Sequence, residues 1–245
     1  MYGVVLVDDE QLILRGLINV IPWEKYGCRV LDTASDGLEG IAKARACKPD
    51  ILFTDIRMPN MDGLAMIAAL KSEFPSMQIA VLTAFRDFDY AQRAMHLGVC
   101  RYLLKPSKME EILEAVEAMA MQIPERPAEG TEAEAKESPA SAFVVRAALS
   151  YIDRNYMNRL SLSTVADNVF VSQWHLSKLL NRHTGKSFFD IVNAVRVEKA
   201  KALLRDPSLK VHEIAEMVGF ADVAHFSKIF KKLQRKSPIE YRADL

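Results

Sequence analysis

Cysteine is scarce. Cys28, Cys47 and Cys100 are the only three in 245 residues. Odd in number and without a close pair, they predict neither a disulfide framework nor a thiolate zinc site, but buried free thiols in a reducing interior. Long apolar runs are also missing: none approaches the ~18–20 residues of a membrane span. The N-terminus has no basic region followed by an apolar stretch. No membrane partner is expected, and the location is read as cytoplasmic. An excess of either charge is absent too, with 32 Lys plus Arg against 32 Asp plus Glu. That balance conceals a split. Residues 1–123 carry 13 basic and 17 acidic side chains, 124–140 carry 2 and 5, and 141–245 carry 17 and 10. An acidic front and a basic rear of net charge +7 point to a nucleic-acid partner for the rear.

What is present is ordinary globular material, half of it apolar and 26% charged. The stretch PERPAEGTEAEAKESPAS (124–141) has no aromatic residue and no apolar side chain larger than alanine. It cannot bury enough surface to offset ordering entropy, so 124–140 is predicted to be a flexible acidic linker between domains at 1–123 and 141–245. In the front domain, Val4–Val7, Val30–Ala34, Ile51–Thr54, Ile79–Thr83 and Tyr102–Leu104 read as strands. Helical patterns lie between and after them at 11–20, 37–46, 64–73, 87–96 and 107–121. This alternation predicts an α/β domain, a five-stranded parallel sheet wound doubly in the flavodoxin manner. Ligands of such sheets sit at the carboxyl ends of the strands.

Those ends carry chemistry. Asp8, Asp9 and Glu10 follow the first strand, Asp55 the third; Thr83 ends the fourth, and the fifth runs into Lys105-Pro106. Converging carboxylates repel, and a hard divalent cation with oxygen ligands neutralises them. A carboxylate can also act as a nucleophile toward phosphorus, with a Lys and a Thr hydroxyl binding the transferred oxygens. Singly, an Asp after a strand is a common helix cap and a Lys-Pro a common turn. Jointly, four strand ends of suitable chemistry favour the site.

VDDE (7–10), DIRMPNMDG (55–63), LTAF (82–85) and YLLKP (102–106) resemble the receiver domain of two-component response regulators. The resemblance covers 1–122. It implies Asp55 as phosphoacceptor for a sensor histidine kinase, and Mg²⁺ at the acidic pair Asp8 and Asp9. Asp9, Asp55 and the carbonyl of Arg57 would be its direct protein ligands. Lys105 and Thr83 would bind the phosphoryl group, with Tyr102 as the switch aromatic. Arg57 and Phe85 match positions that tune dephosphorylation. Ala84 and Cys100-Arg101 depart mildly from the family pattern.

The rear reads as all-α and repeats itself. SKLLNRHTGKSFFDIV (177–192) and SKIFKKLQRKSPIEYR (227–242) align at an offset of 50, each preceded by an Ala-centred helix, LSTVADNV (162–169) and VHEIAEMV (211–218). Two helix–turn–helix units joined by a helical stretch over Phe188–Leu204 explain this. In the first unit a helix from Val171 buries Leu176, Leu179 and Leu180 and turns Gln173, Trp174, His175, Lys178 and Arg182 outward. In the second, Asp222 to Leu233 buries Phe226, Ile229 and Phe230 and leaves Ala224, His225, Lys228 and Lys231 to solvent. Gln, His and Lys can reach base edges in a major groove while Arg and Lys hold phosphates. IAEMVGFADVAHFSKIFKKL and SPIEYR (214–233, 237–242), with HTGKSFFDIVNAVRVEKAKALL (183–204), resemble the AraC/XylS DNA-binding domain over 143–245. The family has seven helices. Phe170 and Arg235 stand where relatives commonly have glycine.

Together these readings predict a non-enzymatic bacterial regulator that binds double-stranded promoter DNA under control of Asp55 phosphorylation. The resemblance also implies a homodimer on phosphorylation. Transcriptional activation would require a contact with RNA polymerase, for which no motif is identified. A second reading keeps the DNA binding and makes the receiver a phosphorylation-independent docking platform; the full acidic set with Lys105 argues against it. An enzyme acting on phosphorylated small molecules would need titratable groups beyond those already assigned. A sugar sensor would need an all-β front half.

Overall fold

The computed structural model describes residues 1–123 and 138–244. Its contacts divide the chain into two compact units, Met1–Val144 and Val145–Leu245. Of the linker expected at 124–140, residues 124–137 lie outside the described residues. Pro139 and Ala140 already belong to a helix, which opens on proline, whose fixed φ suits a first helical position.

In the first unit β1 (Tyr2–Val7), β2 (Cys28–Ala34), β3 (Ile51–Thr54), β4 (Gln78–Thr83) and β5 (Arg101–Leu104) form a parallel sheet ordered β2-β1-β3-β4-β5. The expected α/β fold is therefore present, and each strand lies within two residues of its reading. Val7 pairs with Thr54, Thr54 with Val81 and Thr83 with Leu104, so the strands finish close to level. Strand order reverses between β1 and β3, which opens the crevice into which Asp8, Asp9 and Asp55 follow.

Around the sheet run α1 (Gln11–Val20), α2 (Gly37–Cys47), α3 (Gly63–Glu73), α4 (Phe88–His96) and α5 (Met109–Gln122). Val4, Val5 and Leu6, like Ile51 and Leu52, are fully buried, as continuous aliphatic strands of a parallel sheet should be. Leu14 and Leu17 of α1 pack on Phe53 with Ile112, Val116 and Met119 of α5. The caps match the sequence: Asp36 accepts from the Glu39 N–H, and Asp62 from that of Ala65. One element escapes the hydrophobic pattern, a 3-10 turn at Trp23–Tyr26. There the Trp23 ring meets Phe53 edge-on at 5.8 Å, and its Nε1 donates to the Leu17 carbonyl at 3.1 Å.

The second unit is all helix. The helix α6 (Pro139–Asn155), which the division at Val144/Val145 cuts, leads to α7 (Leu162–Asn168) and α8 (Gln173–Thr184). The long α9 (Phe188–Leu203) then joins them to α10 (Val211–Met217), α11 (Val223–Gln234) and α12 (Pro238–Ala243). Seven helices are thus present among the described residues from 138 onward. Ser161, Ser172, Ser187, Asp222 and Ser237 cap α7, α8, α9, α11 and α12 through their side chains. Phe220, Phe226 and Phe230 pack with Val197 and Ala200 of α9. From α9, Arg196 donates through Nε to the Tyr156 carbonyl and through Nη2 to that of Asn158, both at 2.9 Å. The same guanidinium lies 5.4 Å from the centre of the Phe220 ring.

Phe170 and Arg235 both occupy the left-handed region, with φ of 58° and 64°. The repeat has the opposite residue at each matching turn, Gly219 against Phe170 and Gly185 against Arg235, with φ of 90° and 67°. Gly219 is additionally crowded: a Cβ there would lie 2.7 Å from the Met157 carbonyl oxygen.

Candidate functional site

One carboxylate oxygen from each of Asp8, Asp9 and Asp55 can be chosen so that all lie within 4.8 Å of one another. Asp8 and Asp55 are buried, whereas Asp9 is exposed. Their positions follow from the sheet, since β1 delivers the first two and β3 the third. Lys105, at the end of β5, reaches across the edge to place Nζ 2.7 Å from Asp8 Oδ2 and 2.9 Å from Asp55 Oδ2. Glu10 Oε1 stands 3.4 Å from the same ammonium, a contact the sequence reading left unassigned.

Burial raises the Asp8 carboxyl above its ordinary value, although the Lys105 hydrogen bond pulls the other way. Burial would lower Lys105, but its hydrogen bonds to Asp8 and Asp55 outweigh that and hold the ammonium above its ordinary value. Lys105 stays charged. Against three carboxylates a single ammonium leaves a surplus of negative charge, and the donors are all hard oxygens. That set fits Mg²⁺, and receiver domains generally bind Mg²⁺ in an acidic pocket of this kind.

The loop after Asp55 is tight. The Ile56 and Arg57 N–H groups point at Asp55 Oδ1, at 2.5 and 3.4 Å. The Gly63 N–H donates to the Ile56 carbonyl at 2.7 Å. Any Cβ at Gly63 would fall 2.0 Å from the Asp55 carbonyl oxygen, so only glycine allows this approach.

Thr83 is fully buried, and its hydroxyl accepts from the Phe85 N–H at 3.4 Å. The Tyr102 hydroxyl donates to the Phe85 carbonyl at 3.2 Å, and partial burial raises this phenol. Arg57 lays its guanidinium 4.1 Å from the centre of the Phe85 ring and 5.9 Å from that of Tyr90. Both members of the Arg57–Phe85 pair were picked out from the sequence, but their stacking was not. Tyr90 carried no signal, because an aromatic on a helix is usually core or surface.

The two outward helix faces lie in the second unit. On α8, Leu176, Leu179 and Leu180 are buried, while Gln173, Lys178 and Arg182 are exposed and Trp174 is 66% exposed. The Lys178 ammonium sits 4.9 Å from the centre of the Trp174 ring. His175, expected largely outward, is half-buried. On α11, Phe226 and Phe230 are buried and Ile229 is half-buried against the same aromatic cluster. Ala224, His225, Lys228 and Lys231 are exposed. Asp222 accepts from the Ala224 and His225 N–H groups, and the His225 ring meets Phe220 edge-on at 5.6 Å. No helix among the described residues is long and apolar enough to cross a membrane.

A profile of the response regulator receiver domain matches residues 4–117, and one of a helix-turn-helix domain matches residues 165–244. A Staphylococcus epidermidis protein named as an uncharacterized response regulatory protein is 30% identical over 250 residues, covering 98% of each chain. The transcriptional regulatory protein HptR of Staphylococcus aureus is 27% identical over 250 residues, again with 98% of each chain covered. A crystal structure of a two-component transcriptional regulator AraC from Clostridium phytofermentans is 30% identical, with a TM-score of 0.48. It covers 50% of this chain and 95% of its own.

Proposed function

The chain belongs to the response regulators that join a receiver domain to an AraC-type helix-turn-helix domain, and from that premise we propose a transcriptional regulator switched by phosphorylation of Asp55. The observation that carries this reading is the Lys105 ammonium between Asp8 and Asp55, beside Asp9, at the crevice of a parallel sheet.

A histidine kinase supplies the phosphoryl group. An Asp55 carboxylate oxygen forms the new bond to phosphorus while the phosphorus–nitrogen bond of the kinase phosphohistidine breaks, its electron pair returning to the imidazole. Asp9, Asp55 and the Arg57 carbonyl would hold Mg²⁺, with Asp8 beside them, and the ion would supply neutralisation of the phosphoryl oxygens. Lys105 pairs with a phosphoryl oxygen, exchanging one anionic partner for another. Thr83 turns its hydroxyl from the Phe85 N–H to the phosphoryl group. Tyr102 then gives up the Phe85 carbonyl and moves inward. A local charge change thereby biases a two-state element.

In the second domain, Gln173, Trp174, His175, Ala224 and His225 face base edges in successive major grooves of promoter DNA. Lys178, Arg182, Lys228 and Lys231 hold phosphates. Exposure and the basic balance of residues 141–245 support this division. The half-burial of His175 makes it a smaller contributor than Gln173. A homodimer on phosphorylation and a contact with RNA polymerase complete the proposal, as does a domain arrangement of 1–123, 124–140 and 141–245 in the cytoplasm.

Intact mass after incubation with Mg²⁺ and a small phosphoryl donor tests the acceptor chemistry. One phosphoryl addition to the wild type is expected, with none for Asp55→Asn and none when Mg²⁺ is withheld. A wild type that remains unmodified both by the donor and by a phosphorylated kinase would leave the receiver as a docking platform instead.

A further inference from the structure

We propose that Lys231, Arg235 and Lys236 form a phosphate-binding notch at the carboxyl end of α11, and that its ligand is a backbone phosphate of duplex DNA. The inference rests on the DNA-binding reading above, which already gives Lys231 a phosphate, and extends it to Arg235 and Lys236, which that reading leaves out. The notch is an open cavity of ≈ 440 Å³, lined by these three cations with Glu240, Ala243 and Asp244.

Arg235 supplies the first argument. It adopts φ 64° immediately after α11, where its N–H donates to the Lys231 carbonyl. The matching position after α8 is Gly185, at φ 67°. The left-handed region penalises any residue with a Cβ, so glycine is the relaxed choice and an arginine there is strained. Strain of this kind points toward function.

Charge supplies the second. Lys231 and Arg235 are exposed, and neither forms an ion pair among the described residues. Both carboxylates of the notch are already engaged. Glu240 accepts from the Ser237 N–H at 2.7 Å, which holds its carboxyl below the usual range. Asp244 takes Lys236 at 2.7 Å, but both side chains are more than half exposed, and a surface pair of this kind gives way readily to a phosphate. At an offset of 50 the first unit has Asn181, Gly185 and Lys186, one cation in place of three.

Position supplies the third. Lys228 and Lys231 are three residues apart on α11, so the notch continues the exposed face that includes Lys228. The amino end of a recognition helix reads bases, and the far end lies near the backbone. The second unit therefore grips its half-site harder than the first, through contacts indifferent to sequence.

The test is fluorescence anisotropy of the full chain on a mixed-sequence duplex, between about 50 and 200 mM salt. Arg235→Gly removes charge and strain together; Arg235→Gln removes charge alone. Both should flatten the salt dependence by about 0.9 in log–log slope, so the affinity gap from wild type narrows by about 3.5-fold across that range. Arg235→Gly should also melt above wild type, which excludes misfolding as the cause, and Arg205→Gln, elsewhere on the surface, should keep the wild-type slope. A wild-type slope in both Arg235 variants overturns the notch, as does a loss confined to Arg235→Gly. If inorganic phosphate at matched ionic strength raises the wild-type melting temperature but not that of Arg235→Gln, while the duplex slopes coincide, the notch takes free phosphate and the DNA assignment is overturned. Should the folded wild type bind no duplex at any salt, the DNA-binding reading itself fails, a result distinct from all the others.

Discussion

Individual carboxylates in the first unit are tuned in opposite directions by their surroundings. Asp8 is raised by burial, whereas Glu39 is held down to about 2 by the Ser35 N–H, the Lys43 ammonium and the Ser35 hydroxyl. A carboxyl whose value falls on folding adds stability that is complete above its unfolded value near 4.5. That stability is lost as the pH drops toward 2. Its side chain is 41% exposed, so screening keeps the contribution small. Glu39→Gln should therefore lower stability by about 0.5 kcal/mol at neutral pH, with the difference closing through this acid window; urea midpoints of both proteins across pH measure it. Identity was the legible part at this scale. Asp8, Asp9, Asp55 and Lys105 follow from residue type at strand ends, because chain direction in a parallel sheet fixes which ends share an edge. Glu10 and the Arg57–Phe85 stack depend on side-chain rotamers, which no pattern of spacing encodes.

Elements were legible where burial is periodic. Aliphatic runs gave every strand, and Leu14 with Leu17 show why the face of α1 could be read. The turn at Trp23–Tyr26 stayed hidden because one buried indole, anchored to Phe53 and Leu17, fixes it. The half-buried state of His175 was likewise out of reach, since a helical wheel assigns sides and the depth of packing decides exposure. Turns of the repeat give a sharper contrast. Gly185 has open space around a would-be Cβ, while Gly219 has the Tyr156 and Met157 carbonyls within 2.8 Å. Alanine at Gly185 should cost about 1 kcal/mol, from backbone conformation alone. Alanine at Gly219 adds a backbone clash and should cost at least about 3 kcal/mol. Thermal melts of the two full-length variants would check the order; equal losses would mean that the close approach relaxes freely.

For the whole molecule, the segregation of charge was visible in the sequence, and its use follows from linkage. If phosphorylation pairs two copies, two half-sites are engaged at once and the second binding becomes intramolecular. Sedimentation with and without a phosphoryl mimic should shift from monomer to dimer; a monomer in both states would leave affinity to be set within one chain. Lys105 bears on the molecule at this scale as well. Its ammonium is a counterion on a leash, supplied by the chain and independent of what the surrounding solution contains. On the proposed reading, withdrawal of Mg²⁺ should stop phosphoryl transfer while Lys105 still offsets part of the carboxylate charge at the sheet edge. On that reading, two different cations act at this edge, one carried by the chain and one drawn from solution, and only the second depends on supply.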